Sequence, residues 1–157
     1  MTLLECLESA RHDEAVARLR RLMSVRAMVA IGTSQRSIAH DLGVSQPAVS
    51  QLLRTSECVT QLSPEEALEA AVPVLKDVAA QRGFSDLAVF GSIARGQAGP
   101  DSDIDLIVRP PSGAQIGDLV ALADTFSTIV GHHVDLITYG GLKARVDDDI
   151  RREMVTL

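Results

Sequence analysis

Two aspartates separated by one isoleucine, Asp103 and Asp105, follow the pair Gly91-Ser92 after ten residues in the stretch FGSIARGQAGPDSDIDLIV, positions 90–108. In an extended strand, side chains two positions apart share a face, so both carboxylates project together while Ile104 turns inward. Like charges held that close repel unless a cation sits between them. Hard divalent ions bound by carboxylates and phosphates meet that demand, Mg²⁺ foremost. Just upstream, the apolar run LAVF enters Gly91-Ser92 and a short helical turn, IARG. Such a junction offers backbone N–H groups and a hydroxyl to an anion, which places a phosphate cradle opposite a metal site. The competing reading is an ordinary Asp/Ser turn, with Asp103 capping the loop and Asp105 in solvent.

The elements that must position these groups follow from periodicity. DLAVF, DIDLIV and HHVDLIT are short runs rich in β-branched residues and read as three strands. A helical pattern over about 114–130 separates the second from the third, and LKARVDDDIRREMV reads as a last helix. Ahead of the first strand, SPEEALEAAVPVLKDVAAQRG opens with Ser63 as cap, Pro64 in the first turn and Glu66 closing a capping box, ends at Gly83, and carries a kink-inducing Pro73. From Leu3 to Ile31 apolar residues recur at helical spacing, in one or two amphipathic helices. Then TSQRSIAHDLGVSQPAVSQLLR holds two short helices around Gly43, capped by Ser34 and Ser45, with Pro47 in the first turn of the second. Periodicity is lost over TSECVTQLS, which marks a linker.

Composition narrows the class. The 157 residues, nearly half of them hydrophobic, suffice for one ordinary domain or two small ones with a buried core. There is no long apolar span and no basic leader with a cleavage site, so a cytoplasmic location without a membrane partner is expected. Cys6 and Cys58 lie far apart without metal-ligand spacing and read as small buried hydrophobes. Net charge is −6, unevenly spread: residues 1–56 carry +2 and the remainder −8. An acidic chain can thus still present a DNA-reading end. With one tyrosine and no tryptophan, no stacking platform for single strands is apparent.

Gly91-Ser92, ten residues, then Asp103-Ile104-Asp105 resembles the signature of the DNA polymerase β-type nucleotidyltransferase superfamily, and GSIARGQAGPDSDIDL resembles its minimal nucleotidyltransferase branch. The resemblance spans about 87–138 and implies a third carboxylate on a later strand, a place matched by Asp135 in HHVDLIT. It further implies that Gly91 and Ser92 hold the triphosphate of ATP or another nucleotide. Asp103, Asp105 and Asp135 would ligate Mg²⁺, with Asp135 also helping to deprotonate the attacking hydroxyl. Two such ions stabilise the entering and leaving oxygens of an in-line displacement. Taken alone, Asp135 can equally be an edge-strand residue. Arg95 can meet the nucleotide phosphates or pair with one of the aspartates.

SQRSIAHDLGVSQPAVSQLLR resembles the helix-turn-helix of bacterial repressors, with Gln35, Ala39, Gly43, Val44, Ser45 and Val49 at that family's positions. Ile38, Leu42, Val49 and Leu52 would bury the shared face. Gln46, Ser50 and Gln51 would reach base edges, with Arg36 and Arg54 on phosphates, in a homodimer on palindromic double-stranded operator DNA. A small packing or dimerisation unit is the alternative. His132 and His133, neighbours on a strand, would face opposite sides and not share a metal. Asp147, Asp148 and Asp149 open a helix, where negative charge suits the dipole.

The expected architecture is α+β: an N-terminal all-helical helix-turn-helix domain over 1–56, a linker over 57–63, and a small polymerase β-like nucleotidyltransferase domain over 64–157 with a short mixed sheet flanked by helices. This combination resembles antitoxins of the HEPN/minimal nucleotidyltransferase type. That resemblance implies transfer of AMP from ATP to a cognate HEPN-type toxin. A regulator with a relict, non-catalytic site is the rival, and transfer to a small-molecule hydroxyl a third reading.

Overall fold

The computed structural model describes residues 1–55, 61–143 and 147–157. Most of the linker expected at 57–63, including Cys58, lies outside the described residues.

The chain opens with one long helix, α1 (Leu3–Ala30), in place of one or two, and Thr2 with Glu5 forms a capping box at its start. Helices α2 (Gln35–Leu42) and α3 (Gln46–Thr55) follow, with Ser34 accepting from the Ser37 amide at 3.2 Å and Ser45 from the Ala48 amide at 3.3 Å. Gly43, at φ +65°, takes the left-handed conformation that lets the chain turn between them. Val25 of α1 packs with Ile38, Ala39 and Val49 into a small core. Leu42 departs from expectation: it is 42% exposed, at the side of a shallow groove that it lines with Arg21, Val44, Ala48, Val49 and Leu52. Cys6 is exposed as well, since the first half of α1 projects beyond its packing partners and leaves Leu3, Leu4 and Leu7 in solvent.

Helix α4 (Pro64–Gln81) starts with the Ser63–Glu66 capping box and runs on through Pro73. Strands β1 (Ser85–Phe90), β2 (Ile104–Arg109), β3 (Val134–Thr138) and a short β4 (Val155–Thr156) form a mixed sheet in the order β3-β2-β1-β4. β1 pairs antiparallel with β2 and β4, whereas β2 and β3 are parallel. A parallel pair needs a crossover, which α6 (Ile116–Val130) supplies. The one-turn helix α5 (Gly91–Ala94) follows β1, and α7 (Asp148–Glu153) precedes β4. His132 and His133 sit in the bend ahead of β3, not within the strand, because pairing begins only at Val134.

Strand alternation explains the layering. Leu87, Val89, Ile104, Leu106, Val108 and Val134 face the helices and join Leu75, Leu122, Phe126 and Ile129 in the main core. Leu22, Met23 and Ala27 of α1 belong to that same core, so α1 packs on α4 and α6 while its other side holds α2 and α3. Asp105 and Asp135, one residue out of phase with these apolar positions, therefore lie on the opposite face, which is open at Asp135 but buried further along the strands at Ala88 and Ile107. Among the described residues no helix is long and apolar enough to cross a membrane.

Because Met23 is fully buried where α1 meets the sheet-bearing core, Met23→Ala should cost about 2–5 kcal/mol. Calorimetry should show a single transition moved down as a whole, since α1 is shared by both cores; two separate transitions would contradict that coupling.

Candidate active site

Parallel register sets the first distance. Asp105 of β2 is the partner of Asp135 of β3, so two carboxylates stand on neighbouring strands at the same level. Asp103 immediately precedes β2, where the Ile104 amide donates to the His133 carbonyl at 2.9 Å and so fixes the strand start. On the other flank, Phe90 pairs with Asp105, and the chain leaves β1 through Gly91 into α5. Gly91, the first residue past β1, thus lies beside Asp105 of β2, and Asp105 beside Asp135 of β3, in one row.

Gly91 is required twice over. Its φ is +70°, and a Cβ there would run into the Asp105 carboxylate, meeting its Cγ at 2.9 Å. Only a residue without a side chain lets the turn lie against that carboxylate. Ser92 follows in the same turn and is half-buried.

Electrostatics single out Asp105. Burial pushes its carboxyl above the usual carboxylate range, and Asp135, Asp103 and Glu153 push it further, with Arg95 opposing them. Asp103 and Asp135 are exposed, and His133 approaches the Asp135 carboxylate at 3.7 Å. Among the described residues no three acidic, histidine or cysteine side chains converge on one point at metal-binding distance. The donor set still suits a hard divalent cation: three carboxylates crowd one face, and exposed Asp103 and Asp135 have room to turn toward Asp105.

Arg95 pairs with neither aspartate. Its Nη1 donates to both carboxylate oxygens of Glu153, at 3.1 and 2.9 Å, and its Nε donates to Gln97 at 3.2 Å. Glu153 also accepts the Gly91 amide at 3.1 Å, so the N–H that sequence reasoning left free for an anion is already bonded. These contacts, the Arg95 bond foremost, hold the Glu153 carboxyl below its ordinary range. Glu153 was invisible to motif reading, because it lies in the terminal helix and reaches the turn only through β4. The register pairs Val89 with Val155; two residues further along each chain, Glu153 comes opposite Gly91.

The N-terminal candidates lie elsewhere, on α2 and α3. Arg36, Gln46, Gln51 and Arg54 are exposed, while Ser50 is half-buried. The Gln46 amide donates to Gln35 at 2.8 Å, between α3 and α2, and Arg54 donates to Gln51 at 3.3 Å within α3. His132 is half-buried beside the β3 edge, and its Nε2 has no hydrogen-bond partner. It lines a groove of about 660 Å³ with Leu119, Val120 and Ala123 of α6. The groove runs on to His133 and Asp135, so it adjoins the acidic row at the β3 edge.

A mixed sheet with a glycine turn abutting a carboxylate pair defines the nucleotidyltransferase class, and the family model for the nucleotidyltransferase domain matches residues 74–156, just over half of the chain. The chain belongs to that family. It is similar, at 33% identity over 75 residues, to MJ0435 of Methanocaldococcus jannaschii, a candidate protein adenylyltransferase, covering 48% of this chain and 81% of that one. It is 28% identical over 97 residues to the protein adenylyltransferase MntA of Thermococcus cleftensis, covering 62% and 98%. Among solved structures, a candidate minimal nucleotidyltransferase superposes with a TM-score of 0.55 at 32% identity, covering 61% of this chain and 97% of that one. The α+β, polymerase β-like reading of the fold is thereby established.

Two substitutions test this geometry in opposite directions. Gly91→Ala should destabilise by about 1–3 kcal/mol, from the left-handed backbone and the collision with Asp105. Asp105→Asn should raise Tm by roughly 2–4 °C by removing a half-buried charge among like charges. Folding raises the Asp105 pKa, so its contribution is most favourable below the ordinary carboxylate range and is lost as pH rises through the folded value. The Tm gap between variant and wild type should therefore open with rising pH; a gap independent of pH would refute the assignment.

Proposed function

We infer that this chain transfers a nucleoside monophosphate, AMP from ATP, to a hydroxyl of a partner protein. The observation that carries this reading is the row formed by Gly91, Asp105 and Asp135 at one end of a sheet face, with Ser92 in the turn and Asp103 beside it. Both relatives described as protein adenylyltransferases support the class of acceptor. In this reading Asp103, Asp105 and Asp135 hold Mg²⁺, which when bound supplies positive charge to the phosphate oxygens. Gly91 and Ser92 seat the triphosphate and Arg95 supports its charge. The acceptor oxygen forms a bond to the α-phosphorus, the bond from that phosphorus to the bridging oxygen breaks, pyrophosphate departs, and Asp135 receives the hydroxyl proton.

The acceptor we assign is a cognate toxin of HEPN type, in keeping with the resemblance of the whole chain to antitoxins. The α2–α3 surface is assigned to double-stranded operator DNA, bound by a homodimer, with Arg36 and Arg54 on phosphates and Gln46, Ser50 and Gln51 toward the bases. The exposure of both arginines and two of the three polar side chains supports that placement.

Titration calorimetry of ATP, GTP, CTP and UTP with and without Mg²⁺ tests the first part. Metal-dependent binding, preferring ATP and abolished in the Asp103→Asn, Asp105→Asn double variant, is expected. Label from α-³²P-ATP should then appear on a co-expressed protein; label on no protein despite binding would favour a non-catalytic regulator. For DNA, the Arg36→Ala, Arg54→Ala variant should weaken binding to the fragment upstream of its own gene across all sequences and lower the salt slope by about 1 per lost phosphate contact. Absence of binding at low salt would remove the DNA assignment and leave the enzymatic one standing.

A further inference from the structure

Glu153 breaks a local rule. The end of a helix favours cations, which Arg151 and Arg152 satisfy, yet the last residue of α7 is an anion. It also adds a carboxylate to a face where Asp105 already stands among like charges. Such a residue needs compensation from tertiary structure. The compensation is specific: the Gly91 amide at 3.1 Å and the Arg95 guanidinium at 3.1 and 2.9 Å. Those are an N–H and a cation of the turn assigned above to the nucleotide phosphates, and a carboxylate presents the same charged acceptor oxygens as a phosphate.

The position is enforced, not incidental. β4 is held against β1 by the Val89–Val155 and Ala88–Thr156 pairs, the Leu157 amide donates to the Leu87 carbonyl at 3.0 Å, and Lys76 donates to the Leu157 carbonyl at 2.8 Å. With the strand pinned on both sides, the residue two places before Val155 arrives at Gly91.

We propose that Glu153 is an internal competitor for the polyphosphate cradle, occupying the Gly91 amide and Arg95 until the phosphates of a nucleotide displace its carboxylate. This inference rests on the assignment of Gly91, Ser92 and Arg95 to phosphate binding. The Gly91 amide has a single N–H and cannot serve two anions, so a phosphate that takes it must first free it, and with it the Arg95 Nη1, from Glu153. Apparent affinity is then reduced by the fraction of molecules in which the carboxylate is seated. As pyrophosphate leaves, the same carboxylate restores the hydrogen bonds and opposes rebinding.

The test uses the full chain and two probes, sodium tripolyphosphate and Mg²⁺-ATP, titrated into wild type, Glu153→Gln and Glu153→Ala, with circular dichroism confirming that the variants fold. Glu153→Gln keeps the side-chain size and removes the charge, so both probes should bind about tenfold tighter or more. In wild type, the Gly91 amide resonance should move during the tripolyphosphate titration as the carboxylate is exchanged for phosphate, a readout that needs no variant. Unchanged or weaker binding in both variants would overturn the inference and make Glu153 a support for the turn. So would a stationary Gly91 resonance in protein that binds the probe. If wild type binds Mg²⁺-ATP in a manner abolished by Asp103→Asn, Asp105→Asn while the Glu153 variants gain nothing, the nucleotide assignment stands and the competitor alone falls. If neither probe binds wild type or any Glu153 variant, both fall together.

Discussion

Everything at the candidate site depends on the parallel, in-register pairing of β2 with β3, which sets Asp105 beside Asp135. Adjacent strands lie about 4.8 Å apart, so two carboxylates at one level on one face cannot avoid each other. At an effective surface dielectric, like charges 5–6 Å apart repel by on the order of 3 kcal/mol. The opposite face answers this cost: Ile104, Leu106, Val108 and Val134 are buried against the helices, and each such side chain contributes about 1.5–3 kcal/mol. Apolar packing therefore wins, and the strands stay in the register that holds the charges together.

The same economy of parts explains the long first helix. The apolar face of the four-stranded sheet must be buried against something, and α4 and α6 are joined there by α1. α1 turns its remaining side, through Val25, to α2 and α3. Leu52 packs against both clusters and completes the junction. The surface with Arg36 and Arg54 and the face with the carboxylates are thus mechanically linked through one helix.

What was legible in the sequence is what local chemistry controls. Capping boxes, the Gly43 turn, strand alternation and the spacing of Gly91, Asp103 and Asp105 act within a few residues of one another, and the fold follows them. The acidic partner of Asp105 required a distant strand and was found only through family resemblance. Glu153 escaped altogether, because its role arises from an antiparallel pairing between a two-residue strand and β1. Two residues of β-structure leave almost no periodic signal. Arg95 was left between two partners for the same reason: its actual partner lies 58 positions away. Leu42 and Cys6 show the converse error, in which an apolar type is equated with burial: Leu42 lies at the side of an open groove, and Cys6 on the exposed first half of α1.

The departures from local preference converge on one spot. Gly91 adopts a left-handed backbone, Asp105 carries a charge that its surroundings disfavour, and Glu153 puts an anion at the wrong end of a helix. Each alone is a small defect that packing elsewhere tolerates. Together they share atoms: the missing Cβ of Gly91 makes room for Asp105, the Gly91 amide binds Glu153, and Glu153 adds to the field at Asp105. A second strained residue, Asp86 at φ +54°, lies at the far end of β1 and is answered locally by Arg109 at 2.6 Å and by the Tyr139 hydroxyl on its carbonyl at 2.8 Å. The contrast separates the two ends of the sheet. At Asp86 the charge is answered by partners within the fold, whereas around Asp105 the carboxylates of Asp103, Asp135 and Glu153 outweigh the one opposing cation, Arg95.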